Sequence, residues 1–156
     1  MNTILPLECQ YIDIDGLLRE TSFGALLARH PRTLVYFYPR DNTPGCTLES
    51  QDFTRLRPEF ESLGVGLIGV SRDSVASHAK FVSSCSLGVD LVSDPDESIH
   101  RYFAVIGEKN SYGKTSVGVI RSTFLIDPSA NILCEWRNVK ATSHAERVLA
   151  SLREGV

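Results

Sequence analysis

The sequence contains no block of lysine or arginine, no apolar run approaching a membrane helix, and no C-x-x-C pair. Each absence removes a class of function. Without a basic stripe, and with a net charge of -3, the electrostatic footprint of a nucleic-acid binder is missing. A membrane helix needs roughly 20 consecutive apolar residues, so no helical span is expected. The four cysteines, Cys9, Cys46, Cys85 and Cys134, stand 37, 39 and 49 residues apart, a spacing that suits neither a zinc site nor a C-x-x-C redox motif. The four histidines, His30, His78, His100 and His144, have no ligand spacing and read as exposed side chains. No metal and no cofactor are expected. Asn-x-Ser/Thr acceptor sites and a G-x-S-x-G elbow are also missing. The N-terminal stretch has no basic region, and Pro6 and Glu8 interrupt it, so a secretory leader is not expected and the location reads as cytoplasmic.

What is present is ordinary for a globular chain. Apolar residues make up 42% and charged residues 22%, which excludes a disordered polymer. The 156 residues read as one domain spanning 1–156. A chain of this length buries about 70% of its unfolded surface and needs no disulfide to own a core. Four cysteines that are not needed as staples point to a reducing compartment.

Hydrophobic periodicity orders the chain. Cys9 to Ile14 alternates as a strand, and Asp15-Gly16 turns it as a hairpin. Thr21-Ser22 can cap a short helix carrying Phe23, Leu26 and Leu27, which Pro31 ends. Thr33 to Tyr38 is a continuous β-branched and aromatic run, the pattern of a strand covered on both faces. After a loop, an apolar stripe at 53, 56, 60 and 63, which extends backward to 49 and 46, marks a helix from Cys46 to Leu63, with Pro58 as an expected kink and Gly64 as its stop. Val65 to Ser71 is a second buried strand, residues 74–86 a helix, and Leu91-Val92 a short strand. Pro95 is placed in the first turn of another helix. Gly107 to Gly118 reads as a loop, followed by strands at 122–127 and 132–136. Thr142-Ser143 is expected to cap a last helix with Ala145, Val148, Leu149 and Leu152 inward. Early βαβ units, a β-hairpin and a terminal helix indicate an α/β protein with a central mixed sheet flanked by helices and an N-terminal hairpin. That order suits a thioredoxin-like fold.

Cys46 follows the turn Thr43-Pro44-Gly45 and stands in the first turn of the expected helix. Free N–H groups and the positive end of the dipole lie there, and both favour a thiolate. Glu49 shares the core-facing stripe with Cys46, so it requires a partner, and arginine is the natural one. A small buried hydrophobe is the other fate of such a cysteine.

These residues resemble a family. Pro39-x-x-x-Thr43-x-x-Cys46 is similar to the P-x-x-x-T-x-x-C signature of peroxiredoxins, and Tyr36 to Glu49 resembles their PrxQ branch, the bacterioferritin comigratory proteins. So do Gly107-Glu108-Lys109, Tyr112-Gly113-Lys114, Arg121 to Asp127, and Trp136 to Lys140 with the helix after His144. The resemblance implies a thiol peroxidase acting on hydrogen peroxide and organic hydroperoxides. Cys46 would be the peroxidatic cysteine and pass through a sulfenic acid. Thr43, Arg121 and the Cys46 N–H would donate to the charge that develops, Glu49 would hold Arg121, and Pro39 would complete the loop. The implied reductants are thioredoxin, or glutathione with glutaredoxin. The implied assembly is a monomer, or at most a weak dimer.

The pattern departs at one place. Many PrxQ proteins carry a resolving cysteine five residues after the peroxidatic one, and here that residue is Gln51. Cys85 lies in the next helix, which a second group uses, though the family position falls nearer Val82. Resolver and bystander both stand for Cys85. Cys9 and Cys134 read as buried strand residues. Two rivals share the same thiol: a redox-sensing or chaperone-like binding module, and a disulfide reductase, which would require the missing C-x-x-C. Gly64-x-Gly66-x-x-Gly69 spells a dinucleotide fingerprint, but it follows a helix instead of opening one.

Overall fold

Thr33 to Phe37 is buried at every position, so the strand it forms must be covered on both faces. The computed structural model describes residues 3–111 and 113–155 and confirms that arrangement. In chain order the elements are β1 (Glu8–Ile12), β2 (Leu18–Ser22), α1 (Phe23–Leu27), β3 (Arg32–Phe37), α2 (Pro44–Ser62), β4 (Val65–Ser71) and α3 (Val75–Cys85). They continue with β5 (Asp90–Ser93), α4 (Ser98–Tyr102), β6 (Ile106–Ser111), β7 (Lys114–Val119), β8 (Ser122–Ile126), β9 (Ile132–Trp136) and α5 (His144–Arg153). Seven strands form one mixed sheet in the order β2-β1-β5-β4-β3-β8-β9. The neighbours β3–β4 and β4–β5 are parallel, and the remaining pairs are antiparallel.

Side chains alternate across a strand, so the sheet divides the interior. Leu34, Tyr36 and Tyr38 face one core, which α2, α3 and α5 cover with residues such as Phe53, Phe60, Phe81, Val148 and Leu152. Val35 and Phe37 face the other, covered by α1 and α4 through Phe23, Leu26, Leu27 and Ile99. The expected α2 stripe is the buried one: Cys46, Glu49, Phe53, Leu56 and Phe60 all point inward. Ser22 caps α1 by accepting the Ala25 N–H, and Gly64 turns the chain after α2 with φ +73°. The apparent dinucleotide fingerprint runs from the turn at Gly64 into β4, where packing explains two of its glycines. A Cβ on Gly66 would meet the His30 ring at 2.5 Å, and one on Gly69 would meet Tyr36 at 2.8 Å.

Three local expectations are corrected. Residues 107–118 are not a loop: β6 and β7 pair as a separate antiparallel ribbon, turned at Gly113 with φ +77°. Its exposed, polar strands carry too little apolar alternation to be read as strands. Pro95 precedes α4, whose first N–H groups are instead capped from a distance by the Asp94 carboxylate, bonded to Ile99 N and His100 N. Ser143 does not cap α5 with its side chain; it adopts a left-handed φ of 58°. No helix among the described residues is long and apolar enough to cross a membrane.

Candidate active site

The antiparallel register of β3 and β8 pairs Phe37 with Ser122. Arg121, one residue earlier, therefore arrives at the C-terminal end of β3, where the chain leaves the sheet for the loop that starts α2. Helix α2 begins there, with Thr43 as its N-cap, Pro44 in its first turn and Cys46 two residues later. Pro44 donates no hydrogen bond and its fixed φ suits a helix start. The N–H groups of this turn have no intrahelical acceptor and remain available to a negative charge.

Cys46 is 1% exposed and Glu49, one turn on, is fully buried. Arg121 joins them. Its Nη1 donates to Glu49 Oε1 at 2.6 Å and its Nη2 to Cys46 Sγ at 3.3 Å. Burial alone would lower the Arg121 pKa, but the charges of Glu49 and Cys46 hold it above the ordinary arginine value. Burial pushes Glu49 up to about 7, with Arg121 opposing the rise. Gly45 makes room for this pair, since a Cβ there would lie 3.3 Å from Arg121 Nη2.

Thr43 stands beside the pair but uses its proton within the loop, donating to the Arg40 carbonyl at 2.9 Å. Pro39 is half-buried at the start of the same loop and lines a shallow hollow with Arg40, Arg72 and Glu97. A polar cavity of about 210 Å³ at the other end of the parallel strands, lined by Arg29, Arg57 and Asp90, includes none of these residues.

The loop is held by groups that sequence reasoning left without a role. Asp41 accepts from Tyr38 Oη at 2.7 Å and Ser77 Oγ at 2.8 Å, and it meets His78 Nδ1 at 2.7 Å. Its own N–H donates to Asp73 Oδ2 at 2.9 Å. Tyr36 donates to Ser50 and stacks on Phe53, fixing α2 over β3. The histidines are not exposed as expected: His78, His100 and His144 are buried. The partners of two of them are distant in sequence, Asp41 for His78 and Thr123 for His144, so their spacing carries no signal. Tyr112, part of the quoted motif, lies outside the described residues.

The other cysteines sort by location. Cys9 is buried in the opposite core, where burial, then Glu8 and Asp94, push its thiol up to about 12. Cys85 ends α3 and packs half-buried at the edge of the core that contains Cys46. Cys134 is likewise half-buried, on the edge strand β9, and not enclosed as expected. All four are free thiols.

The chain is similar to known proteins in sequence and in fold. The AhpC/TSA family profile matches residues 16–133. Peroxiredoxin Bcp of Xanthomonas campestris is 51% identical over 120 residues, 77% of this chain and 75% of that protein. The Bacillus subtilis Peroxiredoxin Bcp is 40% identical over 78% of this chain and 77% of its own. A solved structure of Xanthomonas campestris peroxiredoxin Q superposes with a TM-score of 0.85 at 43% identity, covering 97% of this chain and 92% of that one. The mixed sheet and its helical layers are the thioredoxin-like fold of those neighbours. By sequence, fold and the cysteine at the head of α2, the chain belongs to the AhpC/TSA family, within its Bcp/PrxQ peroxiredoxins, and is a cysteine-based thiol peroxidase.

Proposed function

We propose that Cys46 is the peroxidatic residue and that Arg121, Glu49, Thr43 and Pro39 form its site. The observation that carries this reading is the double use of Arg121: one nitrogen on Glu49 Oε1, the other on Cys46 Sγ. The thiolate sulfur attacks the terminal peroxide oxygen. An S–O bond forms as the O–O bond breaks, sulfur is oxidised by two electrons, and the leaving oxygen takes a proton to depart as water or alcohol. Negative charge spreads from sulfur onto both oxygens during this step. Arg121 Nη2 and the unpaired N–H groups of the α2 first turn face that charge and stabilise it more than the resting state. Glu49 fixes the guanidinium so that no reorganisation is required. Thr43 joins when its hydroxyl leaves the Arg40 carbonyl for the peroxide.

The substrates are hydrogen peroxide and organic hydroperoxides, in line with the alkyl peroxide reduction reported for the Xanthomonas campestris bacterioferritin comigratory protein. Every group named comes from one chain, so a monomer suffices. The reduced pool of a cytoplasmic compartment supplies the thiols. Cys85 resolves the sulfenic acid as a Cys46–Cys85 disulfide, which thioredoxin reduces. What supports Cys85 over Cys9 is its place beside the Cys46 core, while Cys9 lies across the sheet. Cys46 is buried, so the first turn of α2 must open before the two sulfurs meet. Mass measurement after one equivalent of peroxide, followed by peptide mapping, tests this. A linked Cys46–Cys85 peptide is expected. A persistent sulfenic acid on Cys46 would mean direct reduction by an external thiol such as glutathione with glutaredoxin. Steady consumption of peroxide with a thiol reductant separates the enzyme from a sensor, which stops after one equivalent.

A further inference from the structure

Glu49 is fully buried, yet only half of its carboxylate is used. Oε1 receives Arg121, whereas Oε2 has no hydrogen-bond partner among the described residues. An unpaired buried carboxylate oxygen is costly, so the groups around it deserve an accounting. Asp52 shares its helix and repels its charge. Tyr36, across on β3, gives its hydroxyl to Ser50. Arg121 is committed to Oε1 and to the sulfur. Arg147 on α5 acts on His144. The remaining polar atom is His144 Nε2, which lies 4.0 Å from Glu49 Oε2 and 2.8 Å from Thr123 Oγ1.

The backbone is built to deliver that ring. Ser143 is held at φ 58°, a conformation a residue other than glycine adopts only when its surroundings enforce it. The consequence is that the first residue of α5 turns inward, 1% exposed, with its ring perpendicular to Phe53. An apolar side chain would fill this space without burying an imidazole. We infer that His144 is a positioning residue: by tilting from Thr123 its Nε2–H supplies the second polar contact of Glu49, and through Glu49 it keeps Arg121 on Cys46. The inference rests on the reading of Cys46, Arg121 and Glu49 given above.

Burial, then Arg147 and Arg121, push His144 down to about 4, so the ring is neutral and carries one N–H. Beside a buried carboxylate the tautomer with that hydrogen on Nε2 is favoured. In this geometry it lies on Thr123, and a small tilt of the ring brings it to Glu49 Oε2. Without it, Glu49 holds its charge less readily, and a neutral Glu49 grips Arg121 less well.

His144→Phe keeps the ring and removes the nitrogen. The rate of Cys46 oxidation is measured in single turnovers for parent and variant across pH, and only their ratio is used, because the titration of the attacking thiol enters both. If the lost contact raises Glu49 by about one pH unit, the variant is about tenfold slower near pH 6 and equal to the parent near pH 9. His144→Gln, which retains an N–H donor, restores most of the rate. A ratio independent of pH, or a glutamine variant no better than phenylalanine, overturns the inference. If neither variant folds, ¹⁵N spectra of the parent decide, with the hydrogen expected on Nε2 and refuted if on Nδ1. Arg121→Met is run alongside. A rate unchanged by that substitution sinks the reading of the whole site, whereas a slow Arg121→Met with a flat His144 ratio sinks only the role of His144.

Discussion

Arg121→Met replaces a charge by an apolar chain of similar length, and the geometry gives two separate expectations. The first is kinetic. The substitution deletes the donor 3.3 Å from Cys46 Sγ. Removing one fixed donor to a developing oxyanion costs about two to three orders of magnitude in rate, so peroxide attack should slow by that factor. The second concerns stability. In the parent, Glu49 is pushed up to about 7 by burial while Arg121 pulls it down, so without Arg121 its pKa rises further. An acid whose folded pKa exceeds its unfolded value binds more protons when folded, and its stability falls as pH rises between the two values. Parent and variant both hold a protonated Glu49 near pH 5 and should differ little there. Above pH 7 the parent ionises Glu49 against Arg121, while the variant must keep it protonated. The gap should then widen by about 1.4 kcal/mol per pH unit, reaching roughly 3 kcal/mol by pH 9, the scale of breaking a buried ion pair. Trp136, the only tryptophan, packs against the Cys46 core and reports both quantities, by stopped-flow fluorescence with peroxide and by urea unfolding. An attack rate within threefold of the parent, or a stability loss that is the same at pH 5 and pH 9, would refute the reasoning that Arg121 acts through charge.

Other expectations follow from the same contacts. Cys46→Ser should retain the fold and lose peroxide turnover; a serine variant that turns over at the parent rate removes the assignment. Cys85→Ser should leave the first oxidation of Cys46 unchanged and abolish turnover with thioredoxin, and full turnover in its absence would make this a one-cysteine enzyme. Gly45→Ala should preserve or raise stability, because alanine favours a helix, while slowing attack roughly three- to tenfold as its Cβ presses on Arg121 Nη2 at 3.3 Å. An unchanged rate would show that the guanidinium tolerates displacement. Glu49 and His144 titrate with opposite effects. Stability from a protonated Glu49 is lost between pH 4.5 and about 7, while stability from a neutral His144 is gained between about 4 and pH 6.5. The two slopes offset in the parent. Glu49→Gln should leave the histidine slope alone, so that variant gains stability from pH 4 to 6.5; a flat profile in urea titrations at each pH rejects the compensation.

The parts that were legible in the sequence are those with local signals. The run at 33–38, the stripe from Cys46 to Phe60 and the turn before Cys46 each carry their meaning within a few residues; the structure has the strand and the stripe as read, while α2 starts two residues early, so that Pro44 and Gly45 belong to its first turn. The pairing of Glu49 with an arginine was legible by a physical rule, since a carboxylate on a core stripe demands a partner. Its identity as Arg121 came from the family motif, because 72 residues separate the two and only the β3–β8 register joins them. What was missed shares that property without a motif. Asp41 and His78 are 37 residues apart, and Thr123 and His144 are 21 apart. A histidine looks the same in sequence whether it is solvated or locked against a carboxylate. The β6–β7 ribbon was missed for a different reason: most of β7 is exposed and only its end, Val119, is buried, so no hydrophobic period records it.

The reacting sulfur is buried and must still meet a second thiol, and the hydrogen bonds around it assign different tasks to its two flanks. Toward the sheet, Tyr36, Ser50, Phe53 and the Glu49–Arg121 pair tie the middle of α2 to β3 and β8. Toward α3, Asp41 ties the loop before α2 to Ser77 and His78. Between them, the first turn of α2 is held by its own ladder, such as Thr47 N to Thr43 O at 2.8 Å, by the Thr43 hydroxyl on the Arg40 carbonyl and by the contact of Arg121 with Cys46 Sγ. Opening that turn breaks these few bonds and draws the Cys46 side chain out of the core while the anchored parts stay in place. Oxidation supplies a reason to open, because a sulfenic acid no longer presents Arg121 with the full charge of the thiolate. On the proposed mechanism the arginine that accelerates attack loosens its hold once attack is complete, and the turn that carries Cys46 is freed to meet Cys85 or an external thiol.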